Sequence, residues 1–151
     1  MSFAGPFPLA AAVARLESQV PALRLVGTAA DLRTALDSKP RAAPAAFVLK
    51  EERSGAPSGA SNGVLVQMCS VTVQVVLMLQ NVRQSATGEA ARGQMDALIA
   101  SVRAALLKWS PDSTRFFHGL SHLASRDESY SGGWLVAQEI FQTRYPIEVR
   151  P

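Results

Sequence analysis

The stretch Val64–Val82 reads Val-Leu-Val-Gln-Met-Cys-Ser-Val-Thr-Val-Gln-Val-Val-Leu-Met-Leu-Gln-Asn-Val. Its valines and alternating side chains predict a β-strand rather than a helix. Val71, Val73, Val75, Leu77 and Leu79 form an unbroken apolar row at period two on one face. The other face carries Val66, Met68, Val76 and Met78 among Ser70, Thr72, Gln74 and Gln80. A half-buried antiparallel strand leaves one face wet. Here the second face is partly apolar as well, so it requires a cover. The run is also long: about 19 residues at ~3.3 Å each span roughly 60 Å. Such a strand either bends at a bulge or projects beyond its own domain toward a neighbour. Both alternatives favour assembly over chemistry.

The other elements read as follows. Pro8 suits a first helical turn, and Leu9, Ala12, Val13, Leu16 and Val20 follow at helical spacing up to Pro21. Leu23–Val26 reads as an apolar connector. Thr28 with Asp31 three residues on caps a second, short helix bounded by Pro40. Ala45–Lys50 is a first strand. Glu51–Gly63 has no apolar period and is rich in Gly and Ser, which predicts a flexible loop. Loops of this length are uncommon and tend to be functional. Its Glu51, Glu52, Arg53 and Asn62 are therefore candidates for docking a partner. Thr87 caps a further helix, whose stripe is Met95, Leu98, Ile99, Val102, Leu106 and Trp109. Thr114–Ala124 and Trp134–Tyr145 are expected to be strands, with a polar turn at Ser125–Gly133 and Pro146 closing the last. The expected fold is one α+β domain over residues 1–151. It has an antiparallel sheet of about four strands with the Leu9–Val20 and Met95–Trp109 helices on one face.

Composition excludes several function classes. Apolar residues make up 48% and charged residues 18% of the chain, the profile of a folded globular protein. The net charge is +3 and the basic residues are scattered, so no nucleic-acid patch is marked. Cys69 is the single cysteine and excludes an internal disulfide. No apolar run approaches the ~18 residues of a membrane span, and Met1–Leu9 lacks the pattern of a signal peptide. His118 and His122 share a strand face, but no third metal ligand lies beside them. The loop glycines lack the Gly-Lys-Ser/Thr of a phosphate cradle, and Ser131-Gly132-Gly133 is not a nucleophile elbow. No catalytic residue, cofactor or metal is expected. Val66, Met68, Val76 and Met78 are the candidate subunit interface.

The order of short phrases resembles a known family. Ala-Arg-Leu-Glu-Ser-Gln-Val-Pro-Ala-Leu-Arg (14–24) is followed by Val-Gly-Thr-Ala-Ala-Asp-Leu (26–32) and Pro-Ala-Ala-Phe-Val-Leu (44–49). Then come Val-Val-Leu-Met-Leu-Gln-Asn-Val-Arg (75–83), Ile-Ala-Ser-Val-Arg-Ala-Ala-Leu-Leu-Lys-Trp (99–109) and Gly-Gly-Trp-Leu-Val-Ala-Gln-Glu-Ile-Phe-Gln-Thr-Arg-Tyr (132–145). Across nearly its whole length the chain resembles the tail terminator proteins of tailed bacteriophages and prophages, of the Mu-like type. The resemblance implies a small subunit of a homo-hexameric ring on the head-proximal end of the tail tube. Such a ring halts tube polymerisation and meets the neck. The implied partners are further copies of the chain, the tail tube protein and a neck or head-completion protein. DNA would be met only in passage through the lumen, and no membrane is involved. The implied location is the virion tail, assembled in the host cytoplasm. Another neck or tail-tube component is the alternative within this class; a small enzyme is a third reading.

Overall fold

The computed structural model describes residues 2–58, 62–80, 89–112, 119–130 and 133–151, with the backbone alone for 89 and 128–130. The valine-rich run forms β3, Leu65–Gln80. It pairs antiparallel with β5, Trp134–Val149, in one unshifted register from Leu65↔Val149 to Gln80↔Trp134. No bulge interrupts this ribbon; its Leu65–Val149 end runs past both β2 and β4, whereas at the other end β4 reaches Trp134. On one side lies β2, Ala45–Ser54, antiparallel to β3 from Ala45↔Met78 to Ser54↔Cys69. On the other lies β4, Ser121–Tyr130, which reaches only Gln142 of β5 and has a register shift between His122 and Ala124. The short β1, Leu25–Gly27, adds a parallel edge against Ala45–Phe47. The sheet order is β1-β2-β3-β5-β4.

Among the described residues three helices accompany the sheet: α1 (Leu9–Gln19), α2 (Ala29–Ser38) and α3 (Glu89–Leu106). The first sheet face packs against α1 and α3. Val71, Val73, Val75, Leu77 and Leu79 of β3 meet Ala12 and Leu16 of α1 and Met95, Leu98, Ile99 and Val102 of α3. Ala137, Phe141 and Tyr145 of β5 enter the same core. Burying these aliphatic side chains contributes roughly 1.5–3 kcal/mol each. A second, smaller cluster lies on the opposite face, where Ala35 and Leu32 of α2 join Ala45, Phe47, Val76, Met78, Trp134 and Val136.

The expected α+β class, with a mostly antiparallel sheet and the two long helices on one face, agrees with this architecture. Several boundaries differ. Among the described residues the sheet has five strands rather than about four, because Leu25–Gly27, read as a connector, pairs with β2. The first strand continues through Glu51–Ser54, since alternating charges are compatible with an exposed edge. Ser125–Tyr130 is strand rather than turn; its polar side chains conceal the alternation. Strand β5 also continues through Pro146 to Val149. Glu148 exchanges both backbone hydrogen bonds with Phe3, at 2.7 and 2.8 Å. Position 146 points to that same outer side, so the missing proline N–H costs the β3 ladder nothing.

Helix termini follow local chemistry. The Thr28 N–H donates to Asp31 Oδ2 at 2.8 Å, and the Thr28 side chain receives the N3 amide, completing a capping box. Arg15 Nε donates to the Ala105 carbonyl at 2.9 Å, satisfying an orphan acceptor in the last turn of α3 and joining α1 to it. That helix stops at Leu106, short of Trp109, and Lys108 adopts a φ of +65°. Gly119 lies against the Lys108 backbone so closely that a Cβ would collide with it. The expected cap Thr87 lies outside the described residues, as do His118 and most of the expected strand start at 114–118.

Candidate assembly surface

The four residues expected to form a subunit interface separate into two pairs. Val76 and Met78 are buried within the subunit, with Met78 fully enclosed. Helix α2 and Trp134 cover them, so they offer nothing to a neighbouring copy. Reading α2 as a minor element concealed this cover. Val66 and Met68 remain half-buried near the far end of the β3–β5 ribbon. They share the second face with their partners Glu148 and Pro146. At the very end the paired Leu65 and Val149 are both exposed, at 40% and 43%. This apolar ribbon tip extends beyond β4, on which Leu123 is a separate exposed apolar side chain.

The expected docking loop is shorter than its sequence suggested. Glu51, Glu52 and Arg53 belong to β2. The Gly55 N–H donates to the Met68 carbonyl at 2.8 Å and the Ser58 N–H to the Val66 carbonyl at 2.9 Å. The chain thus continues along β3 in the direction of β2, and Gln67 Nε2 reaches the Gly55 carbonyl at 2.9 Å. Residues 59–61 lie outside the described residues. Asn62 is exposed. Glu51 and Arg53 are exposed and pair with each other at 3.0 Å, a contact worth little in water.

Glu52 has a different role from the one expected. It lies on the helix-bearing face, beneath the N-terminal segment. The Tyr145 hydroxyl donates to Oε1 at 2.6 Å, and the Phe7 N–H reaches both carboxylate oxygens at 3.3 and 3.4 Å. Lys50 Nζ donates to Oε2, and Cys69 Sγ lies 3.5 Å from Oε1. Burial pushes the Glu52 carboxyl up, but the Lys50, Tyr145 and Phe7 donors outweigh it and hold the group below the usual carboxylate range. The same burial, reinforced by the Glu52 contact, raises the Tyr145 phenol. Burial likewise pushes the Cys69 thiol up, opposite to the shift that activates a nucleophile. The Phe3 ring packs edge-on against Tyr145 at 5.5 Å. Gly5, at a φ of +80°, leaves no room for a Cβ beneath the Tyr145 hydroxyl. The cluster fastens residues 3–7 to the sheet.

A second buried carboxylate escaped the sequence reading. Glu139 is fully buried on the same face. Arg103 Nε of α3 lies 2.5 Å from its Oε1, His122 Nε2 lies 3.1 Å from that oxygen, and Ser125 Oγ donates to Oε2. His122 packs edge-on against Phe141. The serine and the histidine thus contact different oxygens of one carboxylate and not each other. Each acid carried a signal: it occupies an inward position, Glu139 between Ala137 and Phe141 and Glu52 in line with Val48. Among the described residues no group of three or more His, Cys, Asp or Glu could hold a metal ion. No helix among them is long and apolar enough to cross a membrane.

The sheet thus carries α1 and α3 on one face, α2 on part of the other, and an apolar ribbon tip, with Glu52 and Glu139 engaged in side-chain and backbone contacts. The family described as "Phage tail terminator protein" matches residues 1–151. No curated protein matches the chain significantly. The chain belongs to the phage tail terminator family, and it is a structural protein of the phage tail.

Proposed function

We propose that this protein forms a homo-hexameric ring that caps the head-proximal end of the tail tube. The ring halts tube polymerisation and presents its other side to the neck or head-completion protein. The family match over the whole chain carries this reading. The ribbon tip supports it: a heterologous contact that closes into a ring buries such a patch without leaving an open fibre. Val66 and Met68, with Leu65 and Val149 on the other face of the same tip, are the proposed subunit contact. Asn62, beside the tip in sequence, belongs to the surface proposed to meet the tube. Assembly takes place in the host cytoplasm and the finished ring stays in the virion tail.

Deletion of the gene from a phage that carries it provides the test. Tails of irregular, excessive length that do not join heads are expected, with fixed length restored when the protein is supplied. Tails of normal length that merely lack heads would overturn the terminator role and make the protein a neck component.

A further inference from the structure

The middle of the second sheet face, beyond the reach of α2, is chemically unlike both the core and the ribbon tip. Down β3 it presents Gln74, Thr72 and Ser70; their partners on β5 are Ile140, Gln142 and Arg144. Gln74 Nε2 donates to Gln138 Oε1 at 2.7 Å. Ser70, Thr72, Ser121, Gln142 and Arg144 line a shallow groove whose floor includes Gly119. Ser70, Gln142 and Arg144 are exposed.

The charges on this stripe are few and unequal. Arg53 is paired with Glu51 at 3.0 Å. Arg144, and Arg126 opposite Gln138 on β4, are exposed and make no ion pair with a described residue. Among the described side chains the stripe is therefore polar and net cationic. A protein–protein interface core takes several aromatic and apolar anchors, whereas on β3 and β5 the stripe carries a single apolar side chain, the half-buried Ile140.

A weakly cationic sheet of amides and hydroxyls suits a polyanion that must move. Each arginine–phosphate contact adds salt-sensitive attraction. Conduction needs sites favourable enough to enter and weak enough to leave. Two separated arginines among neutral donors meet that condition, whereas a dense lysine patch would hold DNA in place.

We infer that this stripe lines the lumen of the proposed ring and faces the phosphate backbone of DNA in transit. The inference rests on the ring reading, and it assigns a direction: α1 and α3 face outward, and the open sheet face turns inward.

The test uses phage carrying Gln142→Glu with Arg144→Glu, and separately Thr72→Glu. A control with the same sign of charge is Ala10→Glu with Ala14→Glu, at exposed positions of α1. Tail length and head joining are scored by electron microscopy. DNA release after triggered ejection is timed with a fluorescent dye at low and high salt. The lumen variants are expected to have headed tails of normal length and to release DNA at least about threefold more slowly at low salt. The difference should shrink near 1 M salt, where the screening length falls to ~3 Å. The α1 control should behave as wild type. Unchanged release from both lumen variants would overturn the inference. Overlong or headless tails from folded variants would also overturn it, by making the stripe a contact with the tube or neck. Failure of the ring reading itself shows separately, as normal tail length in the gene deletion.

Discussion

A carboxylate at position 52 serves the fold by fixing three parts of the chain at once, through Phe7, Lys50 and Tyr145. Its depressed pKa sets a pH window. The stabilisation is fully present above the ordinary glutamate value of about 4.3 and is lost as pH falls through the lower folded-state value. Glu52→Gln should therefore reduce stability by about 2 kcal/mol at neutral pH, and the deficit should narrow in acid; urea titrations at several pH values read this. Tyr145 acts at the opposite end. Its raised pKa contributes stability that is complete below the ordinary tyrosine value of about 10 and fades as pH rises above it. In Tyr145→Phe that alkaline loss should be smaller. Gly5→Ala should cost about 2 kcal/mol or more, since the φ of +80° and the tyrosine hydroxyl both oppose a Cβ; thermal melts would show it. These residue roles were illegible in sequence because the partners of Glu52 come from Phe7 and Tyr145, at opposite ends of the chain. A period-two pattern reports which side of a strand a residue occupies but not which distant donor waits there.

The elements were legible where their periodicity was strong and their neighbours local. The α3 stripe from Met95 to Leu106 and the Thr28–Asp31 capping box could be read directly, and so could the apolar row of β3. β1 could not, because three residues carry no period and its strand character comes from pairing with Ala45–Phe47. The same lack of tertiary context left Met78 on an apparently open face. Because α2 encloses it, Met78→Ala should lose about 2–5 kcal/mol through the cavity it leaves, and Met78→Glu should fail to fold rather than merely fail to assemble. A loss near zero for the alanine variant would contradict the α2 cover. Helix α3 is tied to the β4–β5 edge by Arg103 and Glu139. Arg103→Ala should cost ~2 kcal/mol, less than a wholly buried pair because Arg103 is 40% exposed. Replacing both partners, Arg103→Met with Glu139→Leu, should recover part of that loss. Chemical denaturation of the single and double variants decides whether the ion pair or only its satisfaction matters.

For the whole molecule, the decisive contrast is between the enclosed half of the second face and the ribbon tip. Met68→Glu should leave the subunit folded, because Met68 is half-buried at the tip, yet weaken assembly by an order of magnitude or more, as roughly 1.4 kcal/mol per tenfold implies. Light scattering together with circular dichroism separates the two effects; a folded variant with unchanged assembly would remove the tip from the interface. The same ribbon has a consequence for how the chain reaches this state. Its two strands lie on opposite sides of α3 and β4 in sequence, and every pair from Leu65↔Val149 to Gln80↔Trp134 is non-local. Non-local pairing must close long loops before any contact rewards it, so folding belongs on the millisecond-to-second scale. The final strand can pair only once the chain is synthesised nearly to Val149. Until then β3 presents a sticky, valine-rich edge, and the interval between synthesis and pairing is when this subunit is most exposed to misassociation.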